Sequence, residues 1–333
     1  MKIFLPFAIK DVGGPSSFAK KFKEGMERRG HEVFFEHQSD YDVIFLIVQA
    51  PFKYLFEAKI KNKKIIQRLD GVYYWSAVGP KYFLYNLKAK IIQYFFADFT
   101  VYQSEYSKYT AEKFLKKNAG EKSTIIFNGV DLNIFSPKGE KNNLRDNHDQ
   151  KIFFTVSAFR REEQIIPLLE ALKIYYDKYN NNFKFIVAGT FTPNIEYIPK
   201  KYSYFKNIKF IGKIDNKEIP KYERSADVFL FTQINPPCPN NIIEALACGL
   251  PICGVADGAM PEIIKNKKGG LLITTSGNAF WKQRVLNLKD FTNNLNKIIL
   301  DKEYYSTTAR NIAEKHFSID YMLDKYINIL RNI

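Results

Sequence analysis

Short apolar runs alternate with longer segments of helical periodicity along most of the chain. Strands that are apolar on both faces and separated by helices are typical of a parallel sheet covered on both sides. The first helix is predicted over Ser17–Arg29. The strands predicted in this first series are Ile3–Ile9, Val33–Phe35, Val43–Val48, Lys64–Gln67, Phe99–Gln103 and Thr124–Phe127.

The alternation stops at residues 136–150, SPKGEKNNLRDNHDQ, which are polar, charged and without periodicity. Such a stretch predicts an interdomain linker. A second series of strands and helices follows it. The predicted strands of this series are Ile152–Ser157, Phe183–Ala188, Ile208–Ile211, Val228–Thr232 and Ile252–Val255, and its helices lie near Gln164–Tyr176, over Ile219–Arg224, from Asn240 and after Phe280.

The expected fold is therefore α/β, with two consecutive Rossmann-like, doubly wound domains. A length of 333 residues agrees with this, because a domain usually has roughly 150 residues. Ligands of such sheets bind beyond the carboxyl ends of the strands. With two domains facing each other, the cleft between them becomes the expected site.

The amino-acid composition indicates a globular protein, and the net charge indicates an anionic partner. Hydrophobic residues make up 46% and charged residues 26% of the chain, which excludes disorder, collagen-like sequence and a coiled coil. The formal net charge of +15 indicates an anionic partner: nucleic acid, an acidic membrane surface or a phosphorylated small molecule. The chain lacks RNP-like aromatic strands and a basic stripe on one helix, so no nucleic-acid partner is expected.

The amino terminus and the cysteines favour a cytoplasmic protein. No apolar run approaches the roughly 20 residues that span a bilayer. The start, MKIFLPFAIKDVGG, lacks a small-residue cleavage site and is interpreted as a first strand and not as a signal peptide. Cys238, Cys248 and Cys253 are odd in number and have no His among them, so we expect reduced thiols and neither disulfides nor a zinc site.

The segment NPPCPNNIIEALACGLP, residues 235–251, predicts a short helix of about eight residues. Asn240 or Asn241 suits its N-cap, and Gly249 suits the left-handed position after its end. A rigid loop before a helix N-terminus suits a phosphate. Glu244 is expected in the first turn, where the alternative to a binding role is a favourable interaction with the helix dipole, worth about 0.3–1 kcal/mol.

A glycine pair follows the first predicted strand, in DVGGPSSF, residues 11–18. Gly13 and Gly14 leave the backbone uncovered there, and Ser16 or Ser17 suits an N-cap. The spacing is not G-x-G-x-x-G and the chain has no G-x-x-x-x-G-K-[ST] motif, which argues against a dinucleotide site and excludes a P-loop. Ordinary turn geometry is the alternative interpretation of the pair.

Five segments together resemble the retaining glycosyltransferases of family 4, which have the GT-B fold. Each is weakly specific alone, but they keep the family's order and spacing from residue 3 to about residue 275. They are GGPSSFAKKFKEGMERRGHEV (13–33), QSEYSK (103–108), IIFNGVDLNIF (125–135), KFIGKI (209–214) and NIIEALACGLPICGVADGAMPEII (241–264).

The resemblance implies a domain plan and a set of donor contacts. The plan is an acceptor-side domain over 1–140, a linker over 141–150, a nucleotide-sugar-binding domain over 151–315 and a last helix over 316–333 that crosses back to the first domain. By this resemblance Glu244 holds the ribose hydroxyls, and the backbone after Gly212 reads the base. The base-reading backbone is that of Ile214, two residues past Gly212, while the amides of Asn240, Asn241 and Ile242 and the Gly13–Gly14 turn bracket the diphosphate.

The loop SAFRREEQ, residues 157–164, departs from the family pattern. The family's usual Arg falls on Ala158 and its usual Lys on Glu163. A carboxylate about 4 Å from a phosphate would cost about 4 kcal/mol at an effective dielectric constant of 20, so Glu163 cannot replace the Lys. Arg160 and Arg161 are the available cations. Because neighbouring residues on an extended segment point to opposite sides, we expect only one of them, preferably Arg160, to reach the diphosphate.

A second departure is Pro236, which stands where the family has the first of two glutamates eight residues apart. The contact to the donor sugar is then absent, or rebuilt from Asn240 and neighbouring amides. In IIQRLDGVYY, residues 65–74, Arg68 and Asp70 stand where many relatives have a His. Asp70 either orients a substrate hydroxyl, which makes it a catalytic candidate with Arg160, or caps the turn at Gly71.

Residues 51–90 hold nine basic residues against two acidic ones, interleaved with aromatic side chains. Basic segments of this kind bind anionic lipid, with the aromatic rings at the interface. A solvated, lysine-rich surface is the alternative.

The resemblance implies transfer of a sugar from a UDP- or GDP-sugar to a glycan, polysaccharide or lipid-linked acceptor, with retention and without metal or other cofactor. We expect a cytoplasmic enzyme, or one attached peripherally to the cytoplasmic membrane face through residues 51–90. The alternative is a binding or scaffold subunit that has lost catalysis through its changes at Ala158, Glu163 and Pro236.

Overall fold

A computed structural model describes residues 1–9, 13–115, 122–264, 268–277, 279–282 and 284–333. The chain divides into two compact units. The first unit comprises Met1–Gly129, Asn278–Gln283 and Ile319–Ile333, and the second comprises Val130–Gly277 and Arg284–Ser318.

The described part of the first unit contains a six-stranded parallel sheet. Its strands are β1 (Lys2–Phe4), β2 (Glu32–Phe34), β3 (Val43–Ile47), β4 (Lys64–Leu69), β5 (Phe99–Tyr102) and β6 (Ser123–Ile125), in the order β2-β1-β3-β4-β5-β6. Strand β1 is shorter than predicted, because Pro6 has no N–H to donate to a neighbouring strand.

Helices connect these strands. They are α1 (Gly14–Glu27), α2 (Phe52–Ile60), α3 (Trp75–Val78), α4 (Tyr82–Ile91), which continues as a π-helical turn over Ile92–Phe96, and α5 (Glu105–Leu115). The long parallel crossovers account for the almost fully buried strands β3 and β4.

In the second unit, the described residues form another six-stranded parallel sheet, in the order β12-β11-β10-β7-β8-β9. Its elements in chain order are β7 (Lys151–Phe159), α6 (Ile166–Lys178), β8 (Phe183–Phe191), α7 (Ile198–Lys201), β9 (Ile208–Gly212), α8 (Ile219–Ser225), β10 (Val228–Phe231), α9 (Asn240–Ala247), β11 (Ile252–Val255), α10 (Met260–Ile263), β12 (Gly270–Ile273), the short pair β13 (Thr275–Ser276) and β14 (Val285–Leu286), α11 (Leu288–Leu300) and α12 (Lys302–His316).

The chain ends in α13 (Ile319–Asn332), which belongs to the first unit. Its Tyr326 ring lies 5.4 Å from Phe22 of α1 and 5.5 Å from Phe45 of β3, centroid to centroid. Gly25 makes the close approach possible, because a Cβ there would lie 2.2 Å from Leu323. The last helix therefore completes the core of the first unit.

Residues 136–150, predicted as a linker, pack instead on the second unit, which begins at Val130. The Arg145 guanidinium donates to both carboxylate oxygens of the buried Asp227 at 2.8 Å. The Asn142 N–H donates to Ser225 Oγ at 2.7 Å. Hydrophobic periodicity could not predict this packing, because residues 136–150 contact the second unit through hydrogen bonds and ion pairs and not through apolar side chains.

Candidate functional site

The predicted donor-binding residues of the second unit lie beyond the carboxyl ends of its strands. Residues 160–164 follow β7, Gly212 ends β9, and the segment 232–239 leads from β10 into α9. Because the sheet is parallel, these strand ends lie at one edge, where α/β proteins bind ligands.

Helix α9 has the predicted length of eight residues, but its cap differs from the prediction. Pro239 is the N-cap residue and provides no side-chain hydrogen bond, so neither Asn240 nor Asn241 caps the helix. Glu244 consequently lies in the second turn and not in the first. At the other end, Gly249 adopts φ of 70° as predicted, and the Leu250 N–H donates to the Ala245 carbonyl at 2.9 Å.

Side-chain amides fasten this helix and its loop to β7. Asn241 Nδ2 donates to the Val156 carbonyl at 2.9 Å, and Gln233 Nε2 donates to Ser157 Oγ at 2.7 Å. The Asn241 side chain thus has a positioning role that the sequence did not reveal. Its predicted backbone contact to a diphosphate, with those of Asn240 and Ile242, stays a prediction.

The loop after β7 is closed by Gln164. Its Oε1 accepts the backbone N–H groups of Arg160 at 2.6 Å and of Arg161 at 3.1 Å. The Arg160 side chain is exposed, whereas Arg161 and Glu163 are half-buried. This exposure agrees with the preference for Arg160 as the ligand-facing cation, which stays a prediction.

The predicted base-reading residues follow β9. Gly212 adopts φ of +70°, and nothing lies within 4 Å of the position that its Cβ would occupy. Ile214 is half-buried two residues further on. The backbone is therefore accessible here, as a contact to a base requires.

A buried polar cluster next to Pro236 was missed by sequence reasoning. Asn235 is buried with φ of 52°, and its N–H and that of Gly258 donate to the Asp257 carboxylate. Arg284 pairs with Asp257 at 3.0 Å. Burial raises the pKa of Asp257, although the Arg284 charge and the two N–H donors act in the opposite direction. Only the Asp-Gly pair at 257–258, a common turn sequence, was a sequence signal for this cluster.

In the first unit the glycine pair begins α1. Gly13 is the N-cap with φ of 130° and ψ of 147°, and Gly14 is the first helical residue. Ser16 and Ser17, predicted as caps, lie inside the first turn, and the N-cap residue, Gly13, has no side chain with which to cap α1. Among the described residues, the atom nearest to a Cβ built on Gly13 is Pro15 Cδ, at 3.9 Å.

Asp70 follows the end of β4 and is held by Arg68. The buried Arg68 guanidinium pairs with Asp70, donates to Asn128 Oδ1 at 2.7 Å and lies 3.7 Å from the Phe18 ring centroid. The Asp70 carboxylate is thus oriented by an ion pair, an arrangement that neither sequence-based interpretation contained. Its catalytic role stays a prediction.

The described residues offer neither a metal site nor a membrane-spanning helix. No group of three or more His, Cys, Asp or Glu side chains within them could hold a metal ion. Nor does any helix among the same residues have the length and apolarity to cross a membrane.

A model of the family described as glycosyl transferases group 1 matches residues 138–315, which is more than half of the chain. The chain belongs to this family. The matched range contains Arg160, Arg161, Gly212, Ile214 and α9 with Glu244, so the candidate donor residues of the second unit all fall within it.

Relatives and solved structures agree with this assignment. The alpha-monoglucosyldiacylglycerol synthase of Acholeplasma laidlawii is 28% identical over 164 residues, which is 46% of this chain and 41% of that protein. Matches to three such relatives span between 41% and 59% of the relatives' own lengths.

The structural likeness covers the whole chain and shows the GT-B fold. Anabaena HepE in complex with UDP has a TM-score of 0.77 at 16% identity, with 100% of both chains covered. The sucrose-phosphate synthase of Thermosynechococcus elongatus has a TM-score of 0.79 at 15% identity, with 99% of this chain and 98% of that chain covered.

Proposed function

We propose that this protein transfers a sugar from a nucleoside diphosphate sugar to an acceptor hydroxyl, with retention of anomeric configuration and without a metal ion. The observation that carries the proposal is the family match over residues 138–315. This range contains Glu244 on α9, which is hydrogen-bonded to β7, and the exposed Arg160, whose backbone N–H donates to Gln164. It also contains the accessible backbone at Gly212. A uridine nucleotide is the preferred donor, because HepE was solved with UDP; GDP-sugars are the second choice.

The chemistry follows from the departing nucleoside diphosphate, on which negative charge develops. Exposed Arg160 and the N-terminal amides of α9 supply positive charge without a metal. Glu244 accepts hydrogen bonds from the two ribose hydroxyls. The acceptor attacks on the face from which the diphosphate departs, and the departing phosphate takes the acceptor's proton, so no histidine base is needed.

The proposed acceptor is a glycan, a polysaccharide or a lipid-linked sugar, and a lipid is favoured. The Acholeplasma relative is named alpha-monoglucosyldiacylglycerol synthase, and monoglucosyldiacylglycerol is a lipid. A lipid acceptor requires access to a bilayer, so we place the enzyme peripherally at the cytoplasmic membrane face, through the basic residues in 51–90.

A donor screen tests the transfer reaction. The purified chain is incubated with UDP-, GDP- and ADP-sugars, and nucleotide release and thermal stabilisation are measured with and without EDTA. We expect one nucleotide to stabilise the protein, its sugar to be hydrolysed or transferred at a rate that EDTA does not change, and the product anomer, read by proton NMR, to match the donor.

Other results would change the conclusion. Loss of the rate in EDTA would refute metal independence, and an inverted anomer would refute retention. No stabilisation and no hydrolysis with any donor would favour the scaffold subunit, in which Pro236 has replaced the sugar-contacting glutamate.

A further inference from the structure

Helix α4 shows a reversed distribution of polar and apolar side chains. Its inward face carries Asn86 and Ala89, both buried. Its outward face carries Phe83, Leu84, Tyr85 and Leu87, which are 58%, 64%, 49% and 38% exposed. A surface helix normally buries its large apolar residues, so the exposed face of α4 is suited to contact another apolar phase.

The reversal is fixed by the fold. The Asn86 side chain accepts from the Tyr73 N–H at 2.9 Å and donates to the Tyr73 carbonyl at 2.8 Å. This pair of hydrogen bonds anchors the inward face to the preceding loop. Rotating α4 to bury Leu84 would leave the buried Asn86 amide without these partners, which is unfavourable.

Exposed aromatic rings border this face. Tyr73 lies 5.2 Å from Tyr85, and Trp75 lies 6.4 Å from Trp281, centroid to centroid. Both tryptophans are 45% exposed. After α4, Phe95 is 75% exposed. Amphipathic rings with one polar edge are the side chains that concentrate at the bilayer interface.

The segment that contains α4 carries basic but no acidic residues. Residues 71–97 include Lys81, Lys88 and Lys90 and contain no Asp or Glu. In α2, by contrast, Lys61 pairs with Glu57 and Lys59 pairs with Asp98. Three basic residues of the 51–90 window, Lys81, Lys88 and Lys90, therefore lie in or directly before α4, where they complement an anionic headgroup layer.

We propose that the α4 surface, defined as Phe83, Leu84, Tyr85 and Leu87 with Trp75 and Trp281 at its border, docks on an anionic bilayer. Helix α4 has ten residues and is far too short to span a bilayer, so it lies in the interface with its apolar side chains among the acyl chains. This inference rests on the proposed membrane attachment and is independent of the sugar-transfer chemistry.

Vesicle co-sedimentation of the full chain tests the docking surface. Vesicles of phosphatidylcholine mixed with phosphatidylglycerol, an anionic lipid, are compared with vesicles of pure phosphatidylcholine. We expect binding to the anionic vesicles that salt weakens and a fall of roughly tenfold in the partition coefficient for Phe83→Ser/Leu84→Ser. Leu300→Ser, at a 79% exposed position of the second unit, is the matched control and should bind like the parent.

Tryptophan fluorescence locates the contact, because Trp75 and Trp281 are the two tryptophans of the chain. Brominated anionic lipid should quench their emission in the parent and not in the double variant. Equal, negligible binding to both vesicles, or full binding by Phe83→Ser/Leu84→Ser, would overturn the proposal. The proposal would also be overturned if the parent formed a dimer and bound no vesicles while the double variant was monomeric. The apolar face would then bind a second copy of the chain.

The same samples separate this inference from the proposed function. Circular dichroism and donor hydrolysis in the absence of vesicles should be unchanged in the double variant. Vesicle binding without any donor hydrolysis would support the docking surface and refute the proposed transferase activity. Donor hydrolysis without vesicle binding would refute only the docking surface.

Discussion

At the scale of single residues, Glu244 illustrates what a motif determines and what it leaves to the structure. Its neighbours predicted an eight-residue helix, and the helix has that length. Its place in the second turn was not predictable, because the cap fell on Pro239 and not on an asparagine. Successive residues are about 100° apart around a helix axis, so a cap one residue earlier changes the direction of each side chain relative to the free N–H groups of the first turn by that angle.

The ribose role of Glu244 is tested by Glu244→Gln. The amide keeps the shape but loses the charge and one acceptor oxygen, so hydrogen bonds to a charged group worth about 1.5–3 kcal/mol are weakened. We expect the dissociation constant for the nucleotide selected in the donor screen to rise by about 10- to 100-fold, measured by calorimetry. Glu314→Gln on the exposed side of α12 is the control. An unchanged dissociation constant at equal thermal stability would refute the role.

The Asp257–Arg284 pair carries a stability prediction. Arg284→Ala leaves Asp257 buried without its cation, which costs about 3 kcal/mol of the free energy of unfolding of the second unit when the carboxylate is charged. The pKa of Asp257 is already raised by burial and should rise further. Since the folded state then binds a proton more readily than the unfolded state, the loss should be small near pH 5 and larger at pH 8.

Urea unfolding at both pH values measures this difference. Lys221→Ala, which removes an exposed pair with Glu140, should show no such pH trend. A loss that is equal at pH 5 and pH 8 would contradict the prediction, because it would show that Asp257 is not the group left behind.

At the scale of elements, the buried strands were predictable and the surface helices were less so. Strands β3, β7 and β10 lie where apolar runs predicted them, since strands covered on both faces carry a continuous apolar signal. Helix α4 carried no usable signal, because its large apolar residues face outward and its Asn86 faces inward. Period-based reasoning assumes that the apolar face is the buried one, and the exposed apolar face of α4 violates that assumption.

The packing of α13 on α1 gives a prediction at this scale. Gly25→Ala improves helix propensity by about 1 kcal/mol but places a methyl group 2.2 Å from Leu323 Cδ1, and overpacking of this kind costs about 1–3 kcal/mol. We therefore expect net destabilisation of the first unit. The double variant Gly25→Ala/Leu323→Val should recover stability relative to Gly25→Ala, with Leu323→Val alone as control. Additive losses in this cycle would show that the two side chains do not clash.

At the scale of the whole molecule, the two units are not consecutive along the chain. The first unit is built from Met1–Gly129, the short segment Asn278–Gln283 and Ile319–Ile333, so its core needs residues that follow the second unit in sequence. The resemblance predicted a last helix that returns to the first domain. The segment at 279–282 carried no sequence signal, because the contacts of Phe280 and Trp281 are with aromatic residues about 200 positions away.

This organisation predicts how fragments fold. Residues 1–129 alone lack α13, and the apolar side chains of Phe18, Phe22 and Phe45 that contact Tyr326 would be exposed to water. Burial of such side chains contributes about 1.5–3 kcal/mol each, which is comparable to a large part of the stability of a small domain. We expect this fragment to show no cooperative urea transition by circular dichroism.

A fused fragment provides the matched comparison. A Cβ on Gly129 would lie 2.6 Å from the Ile319 Cα, so a short glycine-serine linker can join residue 129 to residue 319 without strain. The fusion of 1–129 with 319–333 should regain a cooperative transition, and Tyr326→Ala in the fusion should weaken it. Cooperative unfolding of residues 1–129 alone, with the same midpoint as the fusion, would show that α13 does not contribute to the stability of the first unit. The core contacts of Tyr326 and Leu323 argue instead that the first domain is finished only by the last helix of the chain.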